Sequence, residues 1–115
     1  MKLYKEWDRR PSESEYLINR IQEIVSSMTS GALVILYGSR ARGSADVASD
    51  WDFLILTEHD LDRKTILEIK DQIYDLELET DTVLSSIIRT RNEWNSAKYS
   101  VLPFRNAIEE EGILL

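Results

Sequence analysis

Two apolar runs joined by a glycine-serine turn constrain this chain more than anything else in it. From Leu33 to Leu56 it reads LVILYGSRARGSADVASDWDFLIL. That is a strand, a Gly38-Ser39 turn, ten residues of connection, and a second strand opening with Asp50-Trp51-Asp52. Side chains of a strand alternate between its faces, so Asp50 and Asp52 share one face while Trp51 and Phe53 take the other. Two carboxylates side by side repel each other unless a divalent cation sits between them. Facing a turn with bare backbone amides, they have the form of half a magnesium-triphosphate site.

The rest of the chain fits one small domain around those strands. Its 115 residues suit a single core and are too few for two, so residues 1–115 are read as one domain. The absence of cysteine excludes disulfides and thiolate metal sites. The opening MKLYKEWDRR lacks the apolar segment of a signal peptide, and no apolar run approaches membrane-spanning length. Both features point to the cytoplasm and away from a membrane. A formal net charge of −7 disfavours bulk nucleic-acid binding. Yet Ser30 to Ala45 contains no acid and carries Arg40 and Arg42, so a small phosphate-bearing ligand can be met locally.

Periodicity supplies the other elements. Pro11-Ser12 begins a helix, with Ser12 and Glu15 at capping-box spacing, an apolar face of Leu17, Ile21, Ile24, Val25 and Met28, and Gly31 as its stop. Leu33–Tyr37 suits a strand covered on both faces, and Trp51–Thr57 is the next. Asp60 is placed to cap a long helix with a stripe of Ile66, Ile69, Ile73 and Leu76, a period that carries Asp75 and Glu79 with it. Thr82–Thr90, rich in β-branched residues, reads as a third strand. Thr90 and Glu93 repeat the capping-box spacing, and Pro103 opens a last helix that Gly112 ends before an apolar tail. The fold expected is α/β: a small mixed sheet with three core strands and helices packed on it. Tyr4 and Trp7 suit a lid or partner contact, although Trp7, Trp51 and Trp94 are most simply packing residues. His59 belongs to a surface loop, and Glu109-Glu110-Glu111 is a solvated helix end.

Taken singly, Gly38-Ser39 is an ordinary turn and Asp50-Trp51-Asp52 an ordinary strand end or helix cap. Together, at ten-residue spacing, they arise by chance in on the order of one chain in a thousand. Gly38-Ser39, Ala41-Arg42-Gly43 and Ser49-Asp50-Trp51-Asp52 resemble the signature of the DNA polymerase beta-type nucleotidyltransferase superfamily. The likeness is to its minimal nucleotidyltransferase branch, and the order of elements and the tail from Pro103 to Leu115 agree with it.

That resemblance implies a nucleotidyltransferase fold and a site. Gly38, Ser39 and the neighbouring amides would hold the phosphates of ATP or another nucleoside triphosphate. Arg42, and less surely Arg40, would neutralise phosphate charge. Asp50 and Asp52 would be the catalytic pair that ligates Mg2+. The reaction implied is transfer of a nucleoside monophosphate, AMP above others, to a hydroxyl. Full members carry a third carboxylate on the adjacent strand, where TVLSSIIRT offers Ser85 or Ser86; Asp81 stands just before that strand. A chain of this length has no second domain for the acceptor, which a partner protein or a second copy must then present. Members of the branch pair as antitoxins with small helical HEPN-type toxins. The alternative is a catalytically impaired module that acts on such a helical partner by contact.

Overall fold

The computed structural model describes residues 1–8, 10–12, 14–46 and 48–115. Along the chain come strand β1 (Lys2–Leu3), a 3-10 turn (Tyr4–Glu6), helix α1 (Ser14–Met28), β2 (Leu33–Tyr37) and α2 (Gly38–Arg42). Then follow β3 (Trp51–Thr57), α3 (Arg63–Thr80), β4 (Leu84–Thr90), α4 (Arg91–Trp94), α5 (Ala97–Ser100), α6 (Pro103–Glu111) and β5 (Ile113–Leu114). The sheet runs β1-β5-β2-β3-β4. β2 is antiparallel to both its neighbours, while β3–β4 and β1–β5 pair in parallel.

The mixed sheet of three core strands is therefore present and is widened by two short strands. The apolar tail is one of them: Ile113 pairs with Leu36, and the Leu115 amide donates to the Val34 carbonyl at 3.0 Å. A two-residue strand has no strong local signal; β5 exists because the exposed edge of β2 offers it hydrogen bonds. The N-terminus is no lid. Lys2 and Leu3 pair with β5, and Trp7 is buried in the core with Tyr4 packed beside it.

Strand alternation sends side chains to two layers. On one face, Val34, Leu36, Trp51, Phe53, Ile55 and Leu84 pack against Ile18, Ile21 and Val25 of α1 and Ile69, Ile73 and Leu76 of α3. On the other, Ile35, Leu54 and Leu56 meet Trp94 and Ile108. Full burial of each such side chain contributes about 1.5–3 kcal/mol, so the three long strands are held from both sides. Glu79 lies on α3 as expected, accepting from the Tyr16 hydroxyl at 3.0 Å and pairing with Arg20 at 3.3 Å.

Element boundaries differ in places. Asp62, not Asp60, caps α3: its carboxylate accepts from the Thr65 amide at 2.8 Å, because half-buried Leu61 packs against the core and the helix begins after it. α1 begins at Ser14, and the expected Ser12–Glu15 box adjoins Glu13, which lies outside the described residues. The Thr90–Glu93 box forms in both directions, at 3.1 and 3.0 Å. The acidic run before Gly112 is engaged rather than merely solvated. Glu109 accepts from the Trp94 indole at 2.8 Å, and Glu111 pairs with Arg42 at 3.1 Å.

Candidate functional site

The β2–β3 register places Tyr37 opposite Asp52. Directly after Tyr37, Gly38 takes φ +77° and turns the chain into α2. A β-carbon built on Gly38 would collide with a carboxylate oxygen of Asp52. Glycine is thus demanded twice, by the left-handed backbone and by the approach of that carboxylate. The turn and the strand mouth, read from the sequence as parts of one site, are in direct contact.

α2 is a short turn of helix closed by Gly43 at φ +75°, whose amide bonds the Ser39 carbonyl. Its first amides have no partner within the helix. The Ser39 side chain is half-buried and has no hydrogen bond among the described residues. Arg40 is a strut rather than a free cation. Its Nε and Nη2 donate to the Ser49 carbonyl at 3.3 and 3.0 Å, and its guanidinium lies 4.6 Å from the Trp51 ring centre. A turn at Asp46 steadies the same connection, with the Ala48 amide on the Asp46 carboxylate at 2.8 Å and the Asp46 amide on Ser49 Oγ at 3.0 Å. Asp50 is delivered from this clamped segment.

Asp50 is exposed and Asp52 half-buried. Burial, then the charge of Asp50, pushes the Asp52 carboxyl above its ordinary value, and Arg42 acts against the rise. Burial and then the charge of Asp52 push the neighbouring Tyr37 hydroxyl up as well. The two aspartates therefore repel each other, and protein cations do not cancel that repulsion. Arg42 stands near enough to be felt, but its guanidinium is paired with Glu111 at 3.1 Å and its side chain is 51% exposed.

The parallel β3–β4 register sets Ser85 opposite Asp52 and Ser86 opposite Phe53. Ser85 thus shares the face of Asp52. Ser86 belongs to the helical face, where Lys70 of α3 donates to its hydroxyl at 2.7 Å and also to its carbonyl. Burial, then the charge of Arg89, lowers the Lys70 ammonium. Asp81 does not lean in; it is the exposed C-cap of α3 at φ +54°. Asp75 and Glu79 ride on α3, across the sheet from Asp52. Among the described residues, no group of three or more histidines and acids is placed to hold a metal ion.

Sequence reasoning missed an apolar cluster that reaches Tyr37, the residue opposite Asp52. Phe104 packs edge-on to Tyr37, centroids 5.7 Å apart, and to Trp94 at 6.2 Å. A cleft of about 170 Å³ opens there between Ile87, Arg89, Trp94, Tyr99, Leu102 and Phe104. Its residues come from β4, the last three helices and the cap residue Leu102, so no local spacing announced it. The Arg42–Glu111 pair, which joins residues 69 apart, was equally invisible.

Comparison with known proteins bears on the family and the fold. Residues 18–115 match the family model described as Nucleotidyltransferase domain. A solved structure described as "Crystal structure of the toxin-antitoxin with AMP-PNP" is similar over 84% of this chain and 69% of that one, with a TM-score of 0.59 and 20% identity. At that identity the likeness is one of fold. No curated protein sequence matches the chain.

Proposed function

The chain belongs to the nucleotidyltransferase domain family, and on that premise we propose that it transfers a nucleoside monophosphate, AMP by preference, from a nucleoside triphosphate to a hydroxyl on a partner protein or other acceptor. One observation carries the reading: the Gly38 turn lies against Asp52 while the charge of Asp50 reaches the same carboxyl. A phosphate-binding turn and an uncompensated acidic pair at one strand mouth are the two halves of a metal-triphosphate site.

The donor set fits magnesium. Hard oxygen ligands from one or two carboxylates, completed by phosphate oxygens and water, are what that ion accepts. Asp50 and Asp52 would hold it, and their mutual repulsion favours a cation between them. Magnesium, when bound, supplies charge neutralisation at the transferred phosphate and at the departing pyrophosphate. The chain's own groups do the positioning. Gly38 lets the backbone approach the ligand, the Ser39 hydroxyl and the first amides of α2 hold the β- and γ-phosphates, and Arg42 exchanges Glu111 for phosphate oxygens. The acceptor hydroxyl loses its proton to water as its oxygen bonds to the α-phosphorus and the bond to pyrophosphate breaks.

The similar structure is described as a toxin-antitoxin with AMP-PNP, which supports a toxin-antitoxin setting here; the role of antitoxin to a helical, HEPN-type toxin is carried by the resemblance of the Gly38-Ser39 and Asp50-Trp51-Asp52 motif. Among the described residues, no helix is long and apolar enough to cross a membrane. A second reading rests on Ser85. With a neutral hydroxyl beside Asp52 in register, the chain would bind nucleotide weakly and act on its partner by contact.

Labelled ATP, magnesium and cell lysate separate the two readings. Label appearing on a protein or RNA, and lost in Asp50→Asn and Asp52→Asn, supports transfer. Partner binding that survives both changes with no label transferred overturns transfer in favour of the contact module.

A further inference from the structure

We infer that the outer face of α3 is a self-association surface, on which a second copy of this chain docks its own α3 antiparallel. The inference is independent of the proposed chemistry.

Leu67, Tyr74 and Leu78 are 49%, 59% and 67% exposed. At spacings of seven and four residues they form one stripe on the side of α3 opposite the buried Ile69, Ile73 and Leu76. Isolated exposed apolar residues need no explanation, but this stripe lies within an unusual order of charge. Residues 63–70 carry three bases (Arg63, Lys64, Lys70) and one acid, and residues 71–80 carry four acids and no base. The first turn has no acid and the last turn no base. Such an order adds to the helix dipole instead of opposing it, so it weakens the helix that bears it. Arg63, Lys64, Asp71 and Asp75 are exposed, and among the described residues none is in an ion pair.

Lys70 is held by Ser86, Glu77 accepts from the Leu84 amide and Glu79 pairs with Arg20, so the outer face carries exposed Arg63 and Lys64 at its start and exposed Asp71, Asp75 and Asp81 toward its end, an order complementary to its own reversed copy. With Leu67 set against the partner's Leu78, the same two-fold register brings Lys64 to the partner's Asp81 and Tyr74 to the partner's Asp71. Both contacts recur about the axis, as an isologous interface requires. α3 spans about 27 Å, which limits the buried surface to the small end of specific interfaces, so the dissociation constant is expected on the order of 10 µM. Because α3 packs on the face opposite Asp52, both candidate sites point outward, and the second copy in this dimer does not supply the acceptor.

Sedimentation equilibrium of the full chain tests this. The mass is expected to rise with concentration from 13.4 kDa toward twice that value, and the association to weaken as salt screens the charges. Arg63→Glu/Lys64→Glu makes both halves acidic, and Asp75→Lys/Asp81→Lys makes the second half more basic. Each variant alone is expected to be monomeric, and an equimolar mixture is expected to pair. Leu78→Ser, at an exposed position that leaves folding intact, is expected to weaken self-association about tenfold. A wild-type chain that stays at 13.4 kDa overturns the proposal. So does a dimer indifferent to all three variants, a mixture that fails to pair, or a monomer that instead binds a different helical protein through Leu78.

Discussion

Asp52 and Ser85 stand opposite each other on adjacent parallel strands, with side chains on the same face of the sheet. The register thus settles which of two consecutive serines neighbours the acidic pair. Ser86, one residue on, is turned to the other face and held by Lys70. The mouth of the site accordingly has two acids and one neutral hydroxyl.

Ser85→Asp is therefore expected to tighten divalent-cation binding about tenfold, or ~1.4 kcal/mol, read by calorimetry with magnesium and a non-hydrolysable nucleotide. Without cation, the third charge lowers the thermal midpoint. Unchanged affinity would show that position 85 does not face the ion.

The raised Asp52 carboxyl has a signed consequence. Its folded value lies above the ordinary one, so between the two the folded chain binds more protons than the unfolded chain. Stability therefore falls as pH rises through that window, and the cost persists at neutral pH. Asp52→Asn is expected to raise the thermal midpoint at pH 7 and to leave it unchanged well below the ordinary carboxylate range. The same variant loses the stabilisation that magnesium and ATP give the wild type. A lower midpoint at pH 7 would contradict a carboxyl raised by burial and by the charge of Asp50.

Gly38→Ala places a side chain at φ +77° and against the Asp52 carboxylate. The left-handed backbone alone costs about 1–2 kcal/mol, equivalent to a midpoint lowered by about 4 °C or more. Nucleotide affinity is expected to fall with it, whereas Gly31→Ala, also at positive φ (+73°) but remote from Asp52, destabilises without a specific loss of nucleotide binding.

Arg42 separates stability from binding. Its ion pair with Glu111 is largely exposed, and such pairs contribute about 0.2–1 kcal/mol. Arg42→Ala is expected to leave chemical denaturation nearly unchanged while weakening ATP about tenfold. Glu111→Gln frees the guanidinium and is expected to preserve or improve ATP affinity. Equal effects of the two substitutions on binding would assign Arg42 to anchoring α6 instead.

Much of this was legible along the chain because it is local. The apolar runs of β2 and β3, the stripe of α3, the Thr90 cap and Pro103 at the first turn of α6 each depend on residues within one or two turns of each other. The Gly38-Ser39 and Asp50-Trp51-Asp52 pieces were legible as residue patterns for the same reason, although Asp50 lies just before β3 and is tied to Asp52 by the charge it exerts there rather than by strand alternation. Whatever depends on packing between distant segments was not. Asp62 displaced Asp60 as a cap because Leu61 is held against the core, and the last residues became β5 because β2 left an edge to be paired.

By itself the sequence determined the identity and spacing of the candidate site residues, together with the periodicity that makes strands and helices around them. Only the tertiary structure decided that Gly38 touches Asp52, that Ser85 rather than Ser86 joins them, and that Arg40 is spent on Ser49 while Arg42 is tied to Glu111. The division has one physical reason. Propensity and alternation act over a few residues, whereas sheet register and side-chain partnership are set by which distant surfaces meet when the core closes.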